Sequence, residues 1–150
     1  MWQKGGMGKL LFAALALTLP SAAANAINPF GLWQNDDGRV LVKVEMCGDA
    51  LCGKVASLRE PLDRQGRPKV DHKNPDPALR DRQVIGLVVL SGFVRSRDEP
   101  DRWVNGTVYD ADSGNTYQGT LTLRPDGTAE VHGYVLVPVI GRTSLWRQVQ

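Results

Sequence analysis

The sequence predicts an all-β domain: a small antiparallel up-and-down β-barrel of about eight strands with one long loop. Apolar and polar residues alternate in short runs, as in 40–46. Turns rich in Gly, Asn, Asp and Pro separate most of these runs. A closed barrel is favoured over a sandwich because closure removes the exposed strand edges.

The length and composition bound the possible classes of protein. The chain has 150 residues, of which 42% are hydrophobic and 23% charged. This length accommodates one domain core. The composition is too apolar for a disordered chain and too charged for a protein with many membrane spans. Two cysteines exclude a disulfide-dense miniprotein and a four-cysteine zinc site.

The amino terminus has the pattern of a secretory signal peptide. Lys4 and Lys9 precede a short apolar run at 10–19. As a helix, this run would cross only about half of a hydrocarbon core, so an uncleaved anchor is disfavoured. The sequence therefore predicts that the protein is exported.

Small residues after the apolar run indicate where the signal ends. Ala24 and Ala26 suggest cleavage before Ile27, and a second option lies two residues earlier. We expect residues 1–26 to be the signal peptide and 27–150 to form a single β-barrel domain. No later stretch is long and apolar enough to predict a transmembrane segment after cleavage.

The formal net charge of +2 comes from this leader. The chain has 18 basic and 16 acidic residues, and Lys4 and Lys9 leave with the signal while no acid does. The mature domain is therefore formally neutral. It lacks the basic footprint of a protein that binds nucleic acid, so no nucleic-acid partner is expected.

The strands can be placed from the alternation and the turns. We predict them at Gly31–Gln34, Arg39–Met46, Cys52–Leu58, Val84–Phe93, Arg102–Tyr109, Thr116–Leu123, Thr128–Val137 and Thr143–Val149. Symmetric hairpins would pair Gly106 with Gly119, and Gly119 with Gly133. These three glycines would form a column on the apolar face. The column would be a line of barrel curvature, a shelf packed against a ring such as Trp33, or an open ligand cavity.

The same register divides the remaining side chains between two faces. The apolar face would carry Val104, Val108, Tyr117, Leu121, Leu123, Val131 and Val135. The opposite face would be mostly polar, with three aromatic residues, Trp103, Tyr109 and Tyr134, among its members. An outward aromatic surface of this kind is a candidate contact site for a partner protein.

Cys47 and Cys52 flank a predicted hairpin turn. A symmetric turn would place them directly opposite each other, at a Cα separation that suits a disulfide, and would pair Glu45 with Lys54. Export to an oxidising compartment favours this bond. A redox-active pair is disfavoured because the two-residue spacing and the helix terminus that lower a thiol pKa are missing.

The segment 59–83 is a long charged loop. It contains seven basic residues, five acidic residues and four prolines. Asp76 and Pro77 predict the cap and first position of a short helical turn. The loop is a solvated flap, or it is a lid or partner-binding loop at the barrel rim. Its acidic side chains do not follow the spacing of a calcium loop, and we expect no metal there.

Catalytic signatures are missing from the sequence. His72 and His132 are the only histidines, and neither forms a metal pair at helical spacing. There is no nucleophile elbow, phosphate-binding loop or dinucleotide fingerprint. No cofactor is predicted, and a binding protein is favoured over an enzyme.

Motifs spread through the mature chain carry a family resemblance. They are Gly31-Leu32-Trp33; Cys47-Gly48-Asp49-Ala50-Leu51-Cys52-Gly53; Glu60-Pro61-Leu62-Asp63 with Gly66, Pro68 and Lys69; Asn74-Pro75-Asp76-Pro77-Ala78-Leu79-Arg80; Leu90-Ser91-Gly92-Phe93; Tyr109-Asp110 with Gly114 and Thr116-Tyr117; Gly133-Tyr134; and Gly141-Arg142-Thr143 with Trp146. Together they resemble a bacterial exported family, domain of unknown function 2147 (DUF 2147). The resemblance implies a small periplasmic barrel of lipocalin-like type with an ordered long loop, and it implies no activity.

The first motif is also similar to the G-x-W element of lipocalins. In that family the Trp packs across the closed end of the barrel beneath an Arg from the last strand, a role that Arg142 or Arg147 would fill here for Trp33. This chain is shorter than a typical lipocalin and lacks a helix after the last strand. Both departures argue against a large, deep pocket.

Two functional hypotheses follow. The first is a periplasmic lipocalin-like barrel that binds a small hydrophobic or amphipathic ligand. Its candidate ligand-binding residues are Trp33, Tyr117, Gly119, Arg142 and Trp146. The alternative is a protein–protein interaction module of the cell envelope that uses the 59–83 loop.

Overall fold

The computed structural model describes residues 28–149 as a closed antiparallel barrel. Each strand pairs with the next along the chain, and the last strand closes the barrel against the first. The strands are β1 (Gly31–Gln34), β2 (Val40–Cys47), β3 (Ala50–Leu58), β4 (Val88–Arg95), β5 (Arg102–Asp110), β6 (Asn115–Leu123), β7 (Thr128–Tyr134) and β8 (Gly141–Val149). This architecture confirms the predicted up-and-down barrel. The expected signal peptide and cleavage site lie outside the described residues.

The up-and-down order sorts the connections into two sets. The β2–β3, β4–β5 and β6–β7 turns lie at one end of the barrel together with the chain entry at Asn28, and we call this the hairpin end. The other four connections, including the long β3–β4 loop, lie at what we call the loop end. In the described part of the chain, no helix is long and apolar enough to cross a membrane.

Two strands are shorter than the sequence predicts. β4 begins at Val88 instead of Val84, because the residues before it bond outside the strand ladder: the Val84 amide donates to the Lys69 carbonyl at 3.0 Å. β7 ends at Tyr134 instead of Val137, and the residues that follow form a protruding loop. In both cases the run of apolar residues is longer than the strand: it begins before β4 and continues after β7.

The β2–β3 hairpin differs from the predicted register. Its turn consists of Gly48 and Asp49 alone, so Cys47 pairs with Ala50 and Glu45 pairs with Cys52. Gly48 has φ +71°, which suits the tight two-residue turns of hairpins. Direct opposition of the two cysteines was therefore wrong, but the disulfide is confirmed, since Cys47 and Cys52 are bonded diagonally with a Cα–Cα distance of 5.7 Å.

A bulge in β5 changes the position of Trp103. The predicted pairing of Gly106 with Gly119 is confirmed, but Trp103 lies opposite Leu121, so β5 holds one extra residue between these two pairs. Asn105 lies in this interval with φ +60°. The expectation that Trp103 faces outward is therefore wrong, because the bulge reverses the alternation and buries its side chain.

The core fills the barrel interior with aromatic and aliphatic side chains. Four large rings take part, those of Trp33, Phe93, Trp103 and Trp146. Val42, Val44, Leu51, Leu90, Leu121, Leu123, Ala129 and Val131 complete the buried cluster. Burial of this apolar surface is the main source of stability for a domain of this size.

The long loop is ordered and lies against the barrel. Isolated bridges join Leu62 to Pro68 and Val70 to Gln83. The predicted helical turn is present as a short 3-10 helix at Pro77–Leu79, with the Asp76 carboxylate accepting a 2.9 Å hydrogen bond from the Ala78 amide. These contacts confirm the expectation of an ordered loop.

Candidate functional site

The glycine column is packed against a ring of the core. A Cβ built on Gly106 would collide with the Phe93 ring, and one built on Gly119 would lie 3.0 Å from Phe93 Cζ and 2.7 Å from Val108 Cγ2. The third glycine, Gly133, is less crowded, since its Cβ would lie 3.4 Å from the Cβ of Tyr117. Of the three interpretations, the structure supports packing against a ring. The ring is that of Phe93 and not of Trp33.

This packing occupies the space that an open ligand cavity would need. Phe93 and Leu90 come from β4 and are fully buried, and both lie over glycines of neighbouring strands. A Cβ on Gly53 would lie 3.0 Å from Leu90 Cδ1, so Gly53 also makes room for a neighbouring side chain. In this part of the barrel the glycines accommodate core side chains at close range.

An open groove lies above the core at the hairpin end. We call it the mouth groove. Its volume is about 280 Å³, and it is lined by Pro29, Phe30, Met46, Asp49, Phe93, Arg95 and Trp103. Three chain segments converge there: the entry to β1, the β2–β3 hairpin, and the facing ends of β4 and β5. The floor is formed by buried rings and the walls by half-exposed apolar side chains, Phe30 at 42% and Met46 at 50%.

Arg95 is the only basic residue among those that line the mouth groove. Its guanidinium carbon lies 5.6 Å from the centre of the Trp103 ring, a cation–π distance. Its Nε donates a 2.7 Å hydrogen bond to the Pro100 carbonyl, which fixes the orientation of the side chain. Within residues 28–149, no carboxylate lies at ion-pair distance from Arg95. The groove therefore combines apolar walls with one oriented cation and one acidic residue, Asp49, which forms no ion pair with Arg95.

A second groove lies outside the barrel, beneath the long loop. We call it the loop groove. Its volume is about 270 Å³, and it is lined by Asn74, Pro75, Arg82, Val88, Val89, Ser91, Thr107, Tyr109 and Thr116. Five of these nine residues carry a hydroxyl or amide group. The pairs Ser91–Thr107 and Tyr109–Thr116 belong to neighbouring strands, so the sheet itself forms the floor.

Asp71 anchors the long loop at one side of this groove. Its side chain is fully buried, and its carboxylate accepts hydrogen bonds from Tyr109 Oη at 2.6 Å and Asn74 Nδ2 at 2.8 Å. Arg82 Nη2 forms an ion pair with it at 3.1 Å. A buried charge needs such partners, because an unpaired carboxylate would be strongly destabilising.

Tyr109 connects the barrel to the loop through this network. Its hydroxyl donates to Asp71 and accepts a 3.1 Å hydrogen bond from Asn74 Nδ2. Burial, together with the hydrogen bond to the Asp71 carboxylate, raises the pKa of Tyr109 above its usual value. The sequence placed Tyr109 on a free outward face, but in the structure the long loop covers its hydroxyl.

The residues predicted to bind a ligand are distributed between the core and the loop end. Trp33 and Trp146 are buried, with indole hydrogen bonds of 2.8 Å to the Pro29 carbonyl and 2.9 Å to Ser144 Oγ. Gly119 lies beneath Phe93, Tyr117 is half-buried near Gly133, and Arg142 is exposed opposite Gly133. None of these five residues lines the mouth groove or the loop groove.

The cation–π contact expected from the lipocalin similarity occurs elsewhere. Arg142 and Arg147, the candidates for stacking on Trp33, are exposed at opposite ends of β8. The cation–π pair in the described residues is Arg95 with Trp103. The Trp33 indole is held instead by the backbone of the chain entry.

One cluster contains residue types that can bind a metal ion, but its sulfur atoms are not available as ligands. A carboxylate oxygen of Glu45 lies within 4.8 Å of the sulfurs of Cys47 and Cys52. Both sulfurs are joined in the disulfide, so neither is available as a thiolate ligand. The Glu45 carboxylate instead forms ion pairs with Lys54 at 3.3 Å and with Lys43 at 3.7 Å.

Comparison with known proteins agrees with this architecture. A solved structure with the same fold is that of protein HP1028 from the human pathogen Helicobacter pylori, which is described as belonging to the lipocalin family. It has a TM-score of 0.69 and 22% sequence identity to this chain, and the match covers 83% of this chain and 84% of that one. A search of curated proteins finds no significant match. The model of the family described as "Uncharacterized protein conserved in bacteria (DUF2147)" matches residues 31–148, and the chain belongs to that family.

Proposed function

We propose that the protein binds a small amphipathic ligand in the mouth groove. The observation that carries this proposal is the combination of apolar walls with Arg95, a cation without a carboxylate partner among the described residues. The apolar part of the ligand would lie against Phe30, Met46 and Trp103. Its polar group, an anion such as a carboxylate, would lie at the guanidinium of Arg95.

The dimensions of the groove limit the size of the ligand. Its volume of about 280 Å³ is slightly below the range of about 300–1,000 Å³ that is usual for drug-sized ligands. The buried rings beneath it prevent a long chain from passing through the barrel interior. We therefore expect medium-chain amphiphiles to bind better than long-chain lipids.

Fluorescence of Trp103 provides a direct test. Octanoate and decanoate would be titrated into the protein, with the alcohols of the same chain lengths as uncharged counterparts. We expect both to change the fluorescence, with the carboxylates binding more tightly. The variant Trp103→Phe keeps a buried ring but removes the reporter, so the loss of the signal would assign it to the groove. If neither series changes the fluorescence of the unaltered protein, the proposal is wrong.

The role of Arg95 can be tested separately. Charge-assisted hydrogen bonds contribute about 1.5–3 kcal/mol, so Arg95→Met should reduce carboxylate affinity by about 10- to 150-fold while alcohol affinity changes little. Arg97→Met is the matched control, because Arg97 is exposed in the β4–β5 turn and does not line the groove. Equal losses in both variants would contradict a specific anion site.

The location of the protein is a further part of this proposal. The leader sequence and the Cys47–Cys52 disulfide support export to the bacterial periplasm. Osmotic-shock fractionation should recover the protein in the periplasmic fraction, and amino-terminal sequencing should start at Ile27. Thiol titration of the denatured, unreduced protein should detect no free thiol. Recovery in the cytoplasm with an intact amino terminus would refute the assignment.

A further inference from the structure

The loop between β7 and β8 exposes an unbroken run of apolar side chains at the loop end. Residues 135–140 have the sequence Val-Leu-Val-Pro-Val-Ile, without a polar side chain. Leu136 is 92% exposed and Val139 is 93% exposed. The other apolar members are also exposed, with Val135 at 54%, Val137 at 46% and Ile140 at 71%. A continuous apolar run of this kind in water marks an interaction site.

Part of the backbone of this segment is hydrogen-bonded within the domain. The Val137 amide donates to the Val135 carbonyl at 2.8 Å, and the Ile140 amide donates to the Val137 carbonyl at 3.1 Å. The Pro138 carbonyl accepts a 2.7 Å hydrogen bond from His132 Nε2, and Pro138 itself has no amide hydrogen. These hydrogen bonds lower the cost of moving the segment into a less polar environment.

His132 holds the base of the loop in place. Its Nδ1 lies 2.8 Å from Thr143 Oγ1 on β8, and its ring stacks on that of Tyr134 with the ring centres 5.8 Å apart. Gly141 also makes this closure possible, because a Cβ there would lie 2.5 Å from the Gly133 carbonyl. The apolar tip is thus presented from a fixed support.

The tip also has an unusual backbone conformation. Leu136 adopts φ +68°, a left-handed conformation that bulky residues rarely adopt. Packing within the domain does not compensate for it, since the side chain is almost completely exposed. Strain of this kind tends to occur at functional sites, where an external contact uses the conformation.

We propose that the 135–140 loop inserts into the interfacial region of a lipid bilayer, so that the loop end of the barrel faces a membrane surface. The size of the patch favours lipid over a protein partner. Stable protein interfaces use about 20–30 residues on each side, whereas this segment has six. Its most exposed side chains project outward instead of lining a flat face, as suits a soft, deformable acyl layer.

Charges near the segment indicate how this insertion is driven. At the loop end, Arg39 forms ion pairs with Asp37 at 2.7 Å and with Asp112 at 3.8 Å, and Arg142 is exposed beside the loop. The 59–83 loop at the same end also mixes seven basic with five acidic residues, so both signs of charge are present and the loop end suits a zwitterionic lipid surface. Insertion is then driven mainly by apolar burial, and its dependence on salt and on anionic lipid is weak.

Vesicle flotation tests the proposal. The protein would be purified with the amino terminus that it has in the cell. It would then be mixed with phosphatidylcholine vesicles, with and without added phosphatidylglycerol. We expect it to float with both kinds of vesicle, at moderate and at high salt. Failure of the unaltered protein to float with either kind would overturn the proposal. Flotation only with the anionic vesicles at low salt would also overturn it.

Matched double variants locate the contact. Leu136→Asn with Val139→Ser removes the two most exposed apolar side chains, and Asn tolerates the left-handed conformation at 136. It should lower vesicle partitioning by at least about tenfold. The control, Leu145→Asn with Val94→Ser, removes exposed apolar side chains from the barrel wall, away from the loop end, and should float like the unaltered protein. Equal losses in both would overturn the assignment to this loop.

An inserted reporter separates lipid insertion from self-association. In the variant Leu136→Trp, tryptophan emission should shift to the blue on addition of phosphatidylcholine vesicles, and brominated lipid should quench it. The opposite result would be a concentration-dependent dimer that the Leu136→Asn and Val139→Ser double variant abolishes, together with no emission shift in Leu136→Trp. This result would show that the loop binds a second copy of the chain, and it would overturn the proposal.

Discussion

The hydroxyl of Tyr109 donates a 2.6 Å hydrogen bond to Oδ1 of Asp71, a fully buried carboxylate 38 residues away in the sequence. This bond joins the barrel wall to the middle of the long β3–β4 loop. Asn74 and Arg82 complete the partners of Asp71. The loop is therefore fixed to the sheet by a polar network, and the loop groove exists because of that attachment.

Removing the Tyr109 hydroxyl should weaken this attachment. In Tyr109→Phe, the buried Asp71 loses one hydrogen bond, and the free energy of unfolding should fall by about 1–3 kcal/mol. Urea denaturation measures the change. Tyr134→Phe is the matched control, because the structure shows no hydrogen bond from the Tyr134 hydroxyl to another described residue, and its stability should change little. Equal stabilities of the two variants would contradict the anchoring role.

Stability should also depend on pH in the alkaline range. The pKa of Tyr109 is raised above its ordinary value of 10.0, so the folded state holds the phenolic proton more tightly than the unfolded state does. The associated stability is fully present below the unfolded-state pKa and is lost as pH rises through the folded-state pKa. As the pH rises above about 10, denaturation midpoints should fall more steeply for the unaltered protein than for Tyr109→Phe, whereas near pH 8 the two profiles should run parallel. Parallel pH profiles would show that Tyr109 does not contribute.

Contact between Phe93 and the glycine column predicts overpacking. In Gly106→Ala, the added methyl group would collide with the Phe93 ring, and the variant should lose about 1–3 kcal/mol of stability. Gly133→Ala is the control in the same column, since its Cβ would have ordinary contacts and should cost less. A double-mutant cycle with Phe93→Leu should recover part of the loss. Additive effects would mean that the ring is not the obstacle.

The conformation of Asn105 predicts an asymmetric response to substitution. At φ +60°, Asn105→Gly should be tolerated, whereas a β-branched residue is strained. We expect Asn105→Val to lower the free energy of unfolding by about 1–3 kcal/mol. It should also shift the Trp103 emission to the red, because the bulge is what turns Trp103 into the core. If the two variants have equal stabilities and emission maxima, the bulge is not fixed by this residue.

Local patterns in the sequence predicted much of the barrel. The pairing of Gly119 with Gly133 is confirmed, because the β6–β7 turn is nearly symmetric and the strands continue without interruption. The β2–β3 pairing differs by two residues from the predicted one. A symmetric hairpin can enclose four residues or two, and Gly48 favours a turn of two. The bulge at Asn105 has no strong signal in a polar–apolar pattern, so Trp103 was placed on the wrong face.

The grooves were harder to predict than the strands. Phe93 and Arg95 are two residues apart on β4, so the sequence could place them on the same face of the strand, with Phe93 buried and Arg95 exposed at the rim. Met46 and Phe30 join them only through the closure of the barrel, which brings distant segments together. The partnership of Asp71 with Tyr109 depends on the path of the long loop, and nothing local in either segment indicates it.

The ring of Phe93 occupies space inside the barrel that would otherwise form a cavity. Gly106 and Gly119 have no side chains that could fill the space beneath it, so truncation of Phe93 to Ala should leave a cavity of about the size of one ring, at a cost in stability. Small aromatic compounds are then expected to bind in this cavity in place of the missing ring. One substitution would therefore open a cavity the size of a single ring in a core that Trp33, Trp103 and Trp146 otherwise keep filled.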